Sequence, residues 1–361
     1  MSDEFNYNNE YKEEPQRGTP QHGFDLEGFP PQSVRVGFAL ALVLLATVGG
    51  AILQKDAAPE KGSTLAKVYP PRVATPPAFV APKDPFADVA LDARAAYVLD
   101  IATGNVLFEK NANTRLPLAS VTKIMTALIA AEESSRDTLV TIRPADIAIE
   151  GDSGLRSSEQ FRLRDILALT LVGSSNDGAH AIAASVGRTL KHSAGDAPIN
   201  DGASPEKAFL LKMNERAQAL GLTETSYLSV TGLDRDDAQA GAYGSARDTA
   251  QLFSYALGTH PEIFNDTSSA AVTVSSLEAF SHTATNTNER VLDIPGIIAS
   301  KTGYTSLAGG NLAVIVDAGL SRPVVIVVLA STTEGRFSDI EALTRAAIAT
   351  ISAEGKNLKV Q

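Results

Sequence analysis

The chain has 361 residues, of which 44% are hydrophobic and 20% charged, enough apolar sequence for one large or two medium cores. Lys and Arg number 31 against 42 Asp and Glu, a net charge of −11, so no basic surplus exists to hold a phosphate backbone and a nucleic-acid partner is disfavoured. Cysteine is absent and histidine occurs five times, which removes thiolate chemistry and leaves few candidates for a histidine base. Any chemistry is expected to run on Ser, Lys, Asp, Glu or Tyr.

Residues 1–35 are polar, with no apolar periodicity, and read as a disordered tail. Val36 to Leu53 carries no charge and is nearly all apolar, at the short end of what a bilayer-spanning helix needs. It reads as one transmembrane helix, the alternative being a cleaved signal peptide with Val48-Gly49-Gly50 as its processing site. Arg35 on one flank and Lys55 and Lys61 on the other leave orientation undecided by charge. Residues 54–85 hold Pro59, Pro70, Pro71, Pro76, Pro77, Pro82 and Pro85, the composition of an extended linker. A globular domain is expected over 86–355.

Within it, Ala95 to Asp100 and Asn105 to Glu109 are β-rich segments around Ala102-Thr103-Gly104, a hairpin signature. Val121, Ile124, Met125, Leu128 and Ile129 follow the helical period across Ala119 to Glu133, with Pro117 just ahead as punctuation. Arg164 to Val172 and Asp177 to Val186 read as two helices broken by Gly173-Ser174-Ser175-Asn176. Phe209 to Leu220 reads as a third, ended by Gly221. Ile297 to Lys301, Asn311 to Ala318 and Pro323 to Ala330 read as strands, and Phe337 to Ile351 as a closing helix. Strands at both ends with helices between them predict an α/β domain: one antiparallel sheet flanked by helices, beside a helical region.

Ser120 and Lys123, three apart on a helix, share one face at a spacing that permits proton transfer. A lysine serves as base for a serine only when its neutral form is accessible, which burial and a second cation favour. Ser174-Ser175-Asn176 lies in the break between two helices, where side chains reach a cleft; a helix N-cap on Ser175 or Asn176 is the plainer role. Lys301-Thr302-Gly303 closes a strand, with Gly303 sparing room for a ligand along the edge, or simply making a turn.

Together, and in this order, Ser-x-x-Lys, Ser-x-Asn and Lys-Thr-Gly are the signature of penicillin-binding proteins and serine β-lactamases. Further stretches extend the match: Pro117 to Thr126, Met213-Asn214, Leu220-Gly221-Leu222, Gly232-Leu233, Ala246-Arg247-Asp248, Asn286-Thr287-Asn288, and Lys301 to Thr305 followed by Ala308-Gly309. With these, the chain from about Phe86 to Ile351 resembles the serine-type D-alanyl-D-alanine carboxypeptidases, the low-molecular-mass penicillin-binding proteins.

The resemblance implies a serine β-lactamase/transpeptidase-like fold and removal of the terminal D-alanine from peptidoglycan pentapeptides through an acyl-enzyme. By it Ser120 is the nucleophile, Lys123 its proton acceptor and Ser174 the relay to the leaving amine. Asn176 and Lys301 hold substrate, Thr302 binds the terminal carboxylate, and the backbone N–H groups of Ser120 and Tyr304, beside Gly303, form the oxyanion hole. Arg336 falls where the family places an arginine near that carboxylate; a solvated loop cation is the alternative. No metal or cofactor is implied. The expected partners are the peptidoglycan stem peptide, β-lactam antibiotics as inhibitors, and the bacterial cytoplasmic membrane, with residues 1–35 inside and the catalytic domain outside. The N-terminal helix is expected to stand in for the C-terminal amphipathic anchor of many relatives.

Several positions depart from the family pattern. Ser175 replaces the middle glycine of Ser-Gly-Asn, Ser229-Val-Thr-Gly-Leu233 stands for Asn-Pro-His-Gly-Leu, and Gly244 stands for a serine. A β-lactamase would need a deacylating glutamate, and no Glu-x-x-Leu-Asn follows Ser174. A D,D-endopeptidase and an inert peptidoglycan-binding module remain as rivals. His180 and His282 are expected to be structural, since Lys123 makes a histidine base unnecessary.

Overall fold

The computed structural model describes residues 83–151, 153–190, 204–319 and 321–357. The tail over 1–35, the span over 36–53 and nearly all of the 54–85 linker lie outside them. Among the described residues no helix is long and apolar enough to cross a membrane.

The first elements are β1 (Ala95–Asp100) and β2 (Val106–Lys110), joined by a turn in which Gly104 takes φ 74°. Short β3 (Leu116–Pro117) leads into a 3-10 turn, Ala119–Thr122, and then α1 (Lys123–Glu133). The helical segment expected from Ala119 thus begins as a tighter turn. Next come β4 (Leu139–Thr141), β5 (Gln160–Arg162), α2 (Leu163–Val172), α3 (Asn176–Gly187) and α4 (Pro205–Ala219). The small strands β6 (Ser226–Tyr227) and β7 (Ala242–Gly244) precede α5 (Ala246–Thr259) and the hairpin of β8 (Ala271–Ser275) and β9 (Ser281–Thr285). The chain closes with β10 (Ile297–Thr305), β11 (Gly309–Asp317), β12 (Pro323–Ser331) and α6 (Gly335–Asn357).

The main sheet is five-stranded and antiparallel, in the order β10-β11-β12-β1-β2. The expected sheet, completed by segments from both ends of the domain, is therefore present. β12 reads as unbroken Val and Ile because both of its faces are covered: Val325, Val327 and Leu329 join the core facing α1, α2 and α5, while Val324, Ile326 and Val328 join a second core under α6. Each such side chain contributes about 1.5–3 kcal/mol on burial. α1 is buried all round from Lys123 to Ala130 because it runs through the middle of the helical region, with Ile124, Met125, Leu128 and Ile129 fully buried.

One consequence of this topology positions the site. β10 is an edge strand, and it lies against the 3-10 turn that starts α1. Its length also exceeds expectation, running past Lys301 to Thr305, because Thr302 to Thr305 continue to pair with Gly309 to Leu312 of β11.

Candidate active site

Ser120 sits in the 3-10 turn, and the turn is clamped from three sides. Asn311 of β11, fully buried, donates Nδ2 to the Pro117 carbonyl at 3.0 Å. A Cβ at Gly303 would stand 2.9 Å from the Leu118 carbonyl and 3.2 Å from the Ala119 Cβ, so a side chain there would push β10 off the turn. Gly232 approaches closer still: a Cβ would lie 1.9 Å from the Ala119 carbonyl oxygen, and its φ of 86° already favours glycine. Ala119 itself holds φ 48°, a strained value for a residue with a side chain.

Lys123 is completely buried one turn further on. Its Nζ lies 2.8 Å from Ser120 Oγ, 2.8 Å from Asn176 Oδ1 and 2.9 Å from the Thr231 carbonyl. Burial holds its ammonium well below the usual lysine range, and the charge of Lys301 lowers it further. The Asn176 Oδ1 and the Thr231 carbonyl can only accept, so both take N–H bonds from Nζ in either protonation state. In the neutral amine the third direction, toward Ser120, is left to the lone pair. The three partners therefore aim the base at the serine hydroxyl. The Asn176 orientation follows from the same accounting, because its Nδ2 donates to the Glu150 carbonyl at 2.9 Å.

Ser174 occupies the break between α2 and α3 with φ 58°. Ser175, not Asn176, is the N-cap of α3, accepting from the Gly178 N–H at 2.9 Å and bonding Ser153 Oγ at 2.6 Å. This frees the Asn176 amide to reach Lys123. Lys301, also buried, donates from Nζ to Ser174 Oγ and to the Thr302 carbonyl, each at 2.9 Å. Burial, and then the neighbouring Arg336 charge, bring Lys301 down to about 7.

The rest of the expected set lies along β10. Arg336 is buried at the start of α6, donates Nη1 to the Gly303 carbonyl at 3.1 Å and sits 4.7 Å over the Phe337 ring, so it is not a solvated loop cation. Thr302 Oγ1 meets Thr287 Oγ1 at 2.5 Å, and Tyr304 is exposed on the rim. Direct hydrogen bonds thus join Ser120, Lys123 and Asn176 in one group and Ser174 and Lys301 in a second, while Thr302, Gly303 and Tyr304 follow Lys301 along β10 and Arg336 reaches that strand from α6. The two histidines lie elsewhere: His180 Nδ1 pairs with Asp146 at 2.7 Å, and His282 Nε2 with Glu159 at 3.1 Å.

Sequence reasoning missed Thr231, Glu150 and Thr287 as functional contacts. The first two act through backbone carbonyls, which every residue type carries. Two signals were present: Thr231 stands beside Gly232 in a stretch that departs from the family pattern, and Thr287 lies in Asn286-Thr287-Asn288, which matches the pattern but carried no assigned role.

A serine hydroxyl facing a buried, aimed lysine, with a second serine held by a second lysine, is an arrangement equipped for acyl transfer through the Ser120 oxygen. The family model described as D-alanyl-D-alanine carboxypeptidase matches residues 80–333, and the chain belongs to that family. It is 28% identical to the D-alanyl-D-alanine carboxypeptidase DacF of Bacillus subtilis, over 70% of this chain and 61% of that protein. With DacC of Escherichia coli it shares 30% over 70% of this chain and 60% of the relative, and with a D-alanyl-D-alanine endopeptidase of Pseudomonas aeruginosa 30% over 65% and 70%. The chain thus spans about 60% of the length of the first two relatives. Among solved structures, a Streptomyces DD-transpeptidase superposes with a TM-score of 0.62 at 27% identity, covering 72% of this chain and 98% of that one. A Mycobacterium tuberculosis D-alanyl-D-alanine carboxypeptidase gives 0.60 at 25%, covering 71% and 91%.

Proposed function

We propose that the chain is a serine D-alanyl-D-alanine carboxypeptidase acting on peptidoglycan pentapeptides. The observation that carries this is the set of contacts of Lys123, whose two fixed acceptors leave its lone pair to Ser120. Ser120 Oγ attacks the carbonyl carbon of the terminal peptide bond and its proton passes to Lys123 Nζ. A tetrahedral intermediate forms with its oxyanion on the N–H groups of Ser120 and Tyr304, an interaction typically worth about 3 kcal/mol per donor. The C–N bond then breaks, and the leaving D-alanine takes a proton relayed through Ser174. Water attacks the resulting ester, with the same base accepting its proton, and restores Ser120. Asn176 and Lys301 border the peptide, and Thr302 and Arg336 face its free carboxylate.

β-Lactams mimic the D-alanyl-D-alanine end and are expected to acylate the same oxygen. Intact-mass spectrometry of the detergent-solubilised full chain with benzylpenicillin should show a one-drug mass increase on the peptide holding Ser120, absent in Ser120→Ala. D-alanine release from a pentapeptide, set beside cleavage of a cross-linked dimer, separates the carboxypeptidase from the endopeptidase named for the Pseudomonas relative. An unmodified protein that releases no D-alanine would return the chain to an inert binding module, and rapid turnover of penicillin to a β-lactamase.

The uncharged run over 36–53 and the extracytoplasmic location of peptidoglycan support a single-pass anchor in the bacterial cytoplasmic membrane, with the catalytic domain outside. Protease added to spheroplasts should then remove that domain; its protection would overturn the topology.

A further inference from the structure

Thr302 and Thr287 place their hydroxyl oxygens 2.5 Å apart, a separation at which one proton must lie between them. Thr302 is buried on β10 and has no other hydroxyl partner among the described residues. Thr287 has one alternative, the Val172 carbonyl at the end of α2, two residues before Ser174. That carbonyl already receives the Thr287 backbone N–H at 3.1 Å, and the Thr287 hydroxyl reaches it only at 3.5 Å. The backbone on either side of Thr287 is fixed as well. Asn286 donates Nδ2 to the Thr267 and Ser269 carbonyls and accepts from the Asn288 N–H. Thr287 is therefore a rigid bridge between the wall that carries Ser174 and the strand that carries Lys301 and Thr302.

We infer that Thr287 is a positioning residue that donates its hydroxyl proton to Thr302, so that the Thr302 proton is presented to the substrate's terminal carboxylate. The inference rests on the carboxypeptidase reading for the identity of that carboxylate. Two hydroxyls sharing a short contact can point their protons either way. If Thr302 donated to Thr287, it would turn lone pairs toward an anion, and binding would suffer. Once a carboxylate takes the Thr302 proton, the short contact survives only if Thr287 donates across it, and Thr287 gives up little to do so because its one alternative acceptor, the Val172 carbonyl, lies at 3.5 Å. A hydrogen bond to a charged group corresponds to about ten- to a hundredfold in affinity. The Thr287 hydroxyl thereby sets a preference for free acids over neutral termini without touching the substrate.

The test uses the full chain with benzylpenicillin, which carries a carboxylate, and its methyl ester, which does not. The ratio of the two acylation rates cancels any loss of folded protein. Thr287→Val, nearly isosteric, should lower the acid-to-ester ratio about tenfold, Thr287→Ala should do the same, and Thr287→Ser should restore it to within about twofold. Combined with Thr302→Val, the Thr287→Val change should add nothing further. Unchanged ratios in both deletion variants, or failure of serine to restore, would overturn the inference. D-alanine release from diacetyl-L-Lys-D-Ala-D-Ala by the wild type is measured alongside. Its absence would sink the carboxypeptidase reading, while the penicillin ratio still decides the role of Thr287.

Discussion

Lys123 of α1 and Lys301 of β10 are both buried, and each is bonded to a different serine: Ser120 at 2.8 Å and Ser174 at 2.9 Å. Among the described residues neither forms a salt bridge with a carboxylate, so each charge is held by neutral acceptors alone. Burial lowers both, and the second cause differs: Lys301 acts on Lys123, and Arg336 acts on Lys301. The Lys301 charge thus favours the neutral form of Lys123, and the Arg336 charge favours the neutral form of Lys301.

Replacing Lys301 should therefore disturb Lys123. Acylation needs the neutral amine, so its rate rises with pH as Lys123 deprotonates. In Lys301→Gln a neighbouring positive charge is gone and the Lys123 proton is held more tightly. The rising limb of the benzylpenicillin acylation profile should move to higher pH, in addition to a drop in its plateau. A lower plateau with an unmoved limb would show that the two lysines are not coupled.

The same burial has a stability consequence. The folded-state value of Lys301, about 7, lies below the unfolded value of about 10.4, so between these limits the unfolded chain binds more protons. Stability contributed through this group thus rises with pH across that window, and the cost of burying the ammonium is fully present below it. Lys301→Met should raise Tm at pH 6 by about 4 °C or more, with the gain shrinking toward pH 10. Thermal unfolding at the two pH values checks this, and a gain independent of pH would refute it.

The clamp on the nucleophile turn predicts a contrast among glycines. Gly232→Ala drives a Cβ into the Ala119 carbonyl at a positive φ and should cost about 3 kcal/mol or more. Gly303→Ala meets the Leu118 carbonyl at 2.9 Å, a strain that a small shift of edge strand β10 relieves. It should cost about 1 kcal/mol of stability yet slow acylation more than about tenfold, because that shift moves Tyr304 and Lys301 away from Ser120. Gly104→Ala, with nothing within 4 Å of its Cβ, should leave acylation unchanged. Urea midpoints and acylation rates together read out the contrast.

What was legible beforehand follows from which atoms do the work. Ser120, Lys123, Ser174, Asn176 and Lys301 act through side chains whose types the chemistry restricts, and their triplets stand out in the chain. The strands of the main sheet were legible because β12 is buried on both faces and nearly continuous in Val and Ile. By contrast, α5 was matched only as a motif around Ala246-Arg247-Asp248, and the β8–β9 hairpin has neither a strong apolar stripe nor a Gly-Asn turn. The end of β10 was placed too early because Gly303 reads as a strand breaker. In the structure it is the residue whose missing side chain lets the strand touch the turn.

Arg336 gives a prediction about the far end of the cleft. It is buried, so removing it costs packing over Phe337 as well as charge. Arg336→Ala should raise KM for a free-acid D-alanyl-D-alanine peptide about tenfold or more, and for the C-terminal amide much less. Equal effects on both substrates would confine Arg336 to holding the Gly303 carbonyl.

Asn176 offers the sharpest test of how the base is aimed. Its amide spans Lys123 and the Glu150 carbonyl, so an aspartate of the same shape keeps the acceptor for Lys123 but loses the donor to Glu150. It also sets a carboxylate against the buried ammonium. The ion pair stabilises the protonated lysine, and the resulting shift of Lys123 is upward, opposite to the effect of burial and Lys301. At neutral pH less of the base is then free, and acylation of Ser120 in Asn176→Asp should fall by more than about tenfold. Raising the pH should recover much of that loss, because deprotonation of Lys123 restores the lone pair that faces the serine. Asn176→Ala loses the acceptor without adding charge, so its defect should persist at high pH. If the two variants respond to pH alike, Asn176 serves the substrate and not the base.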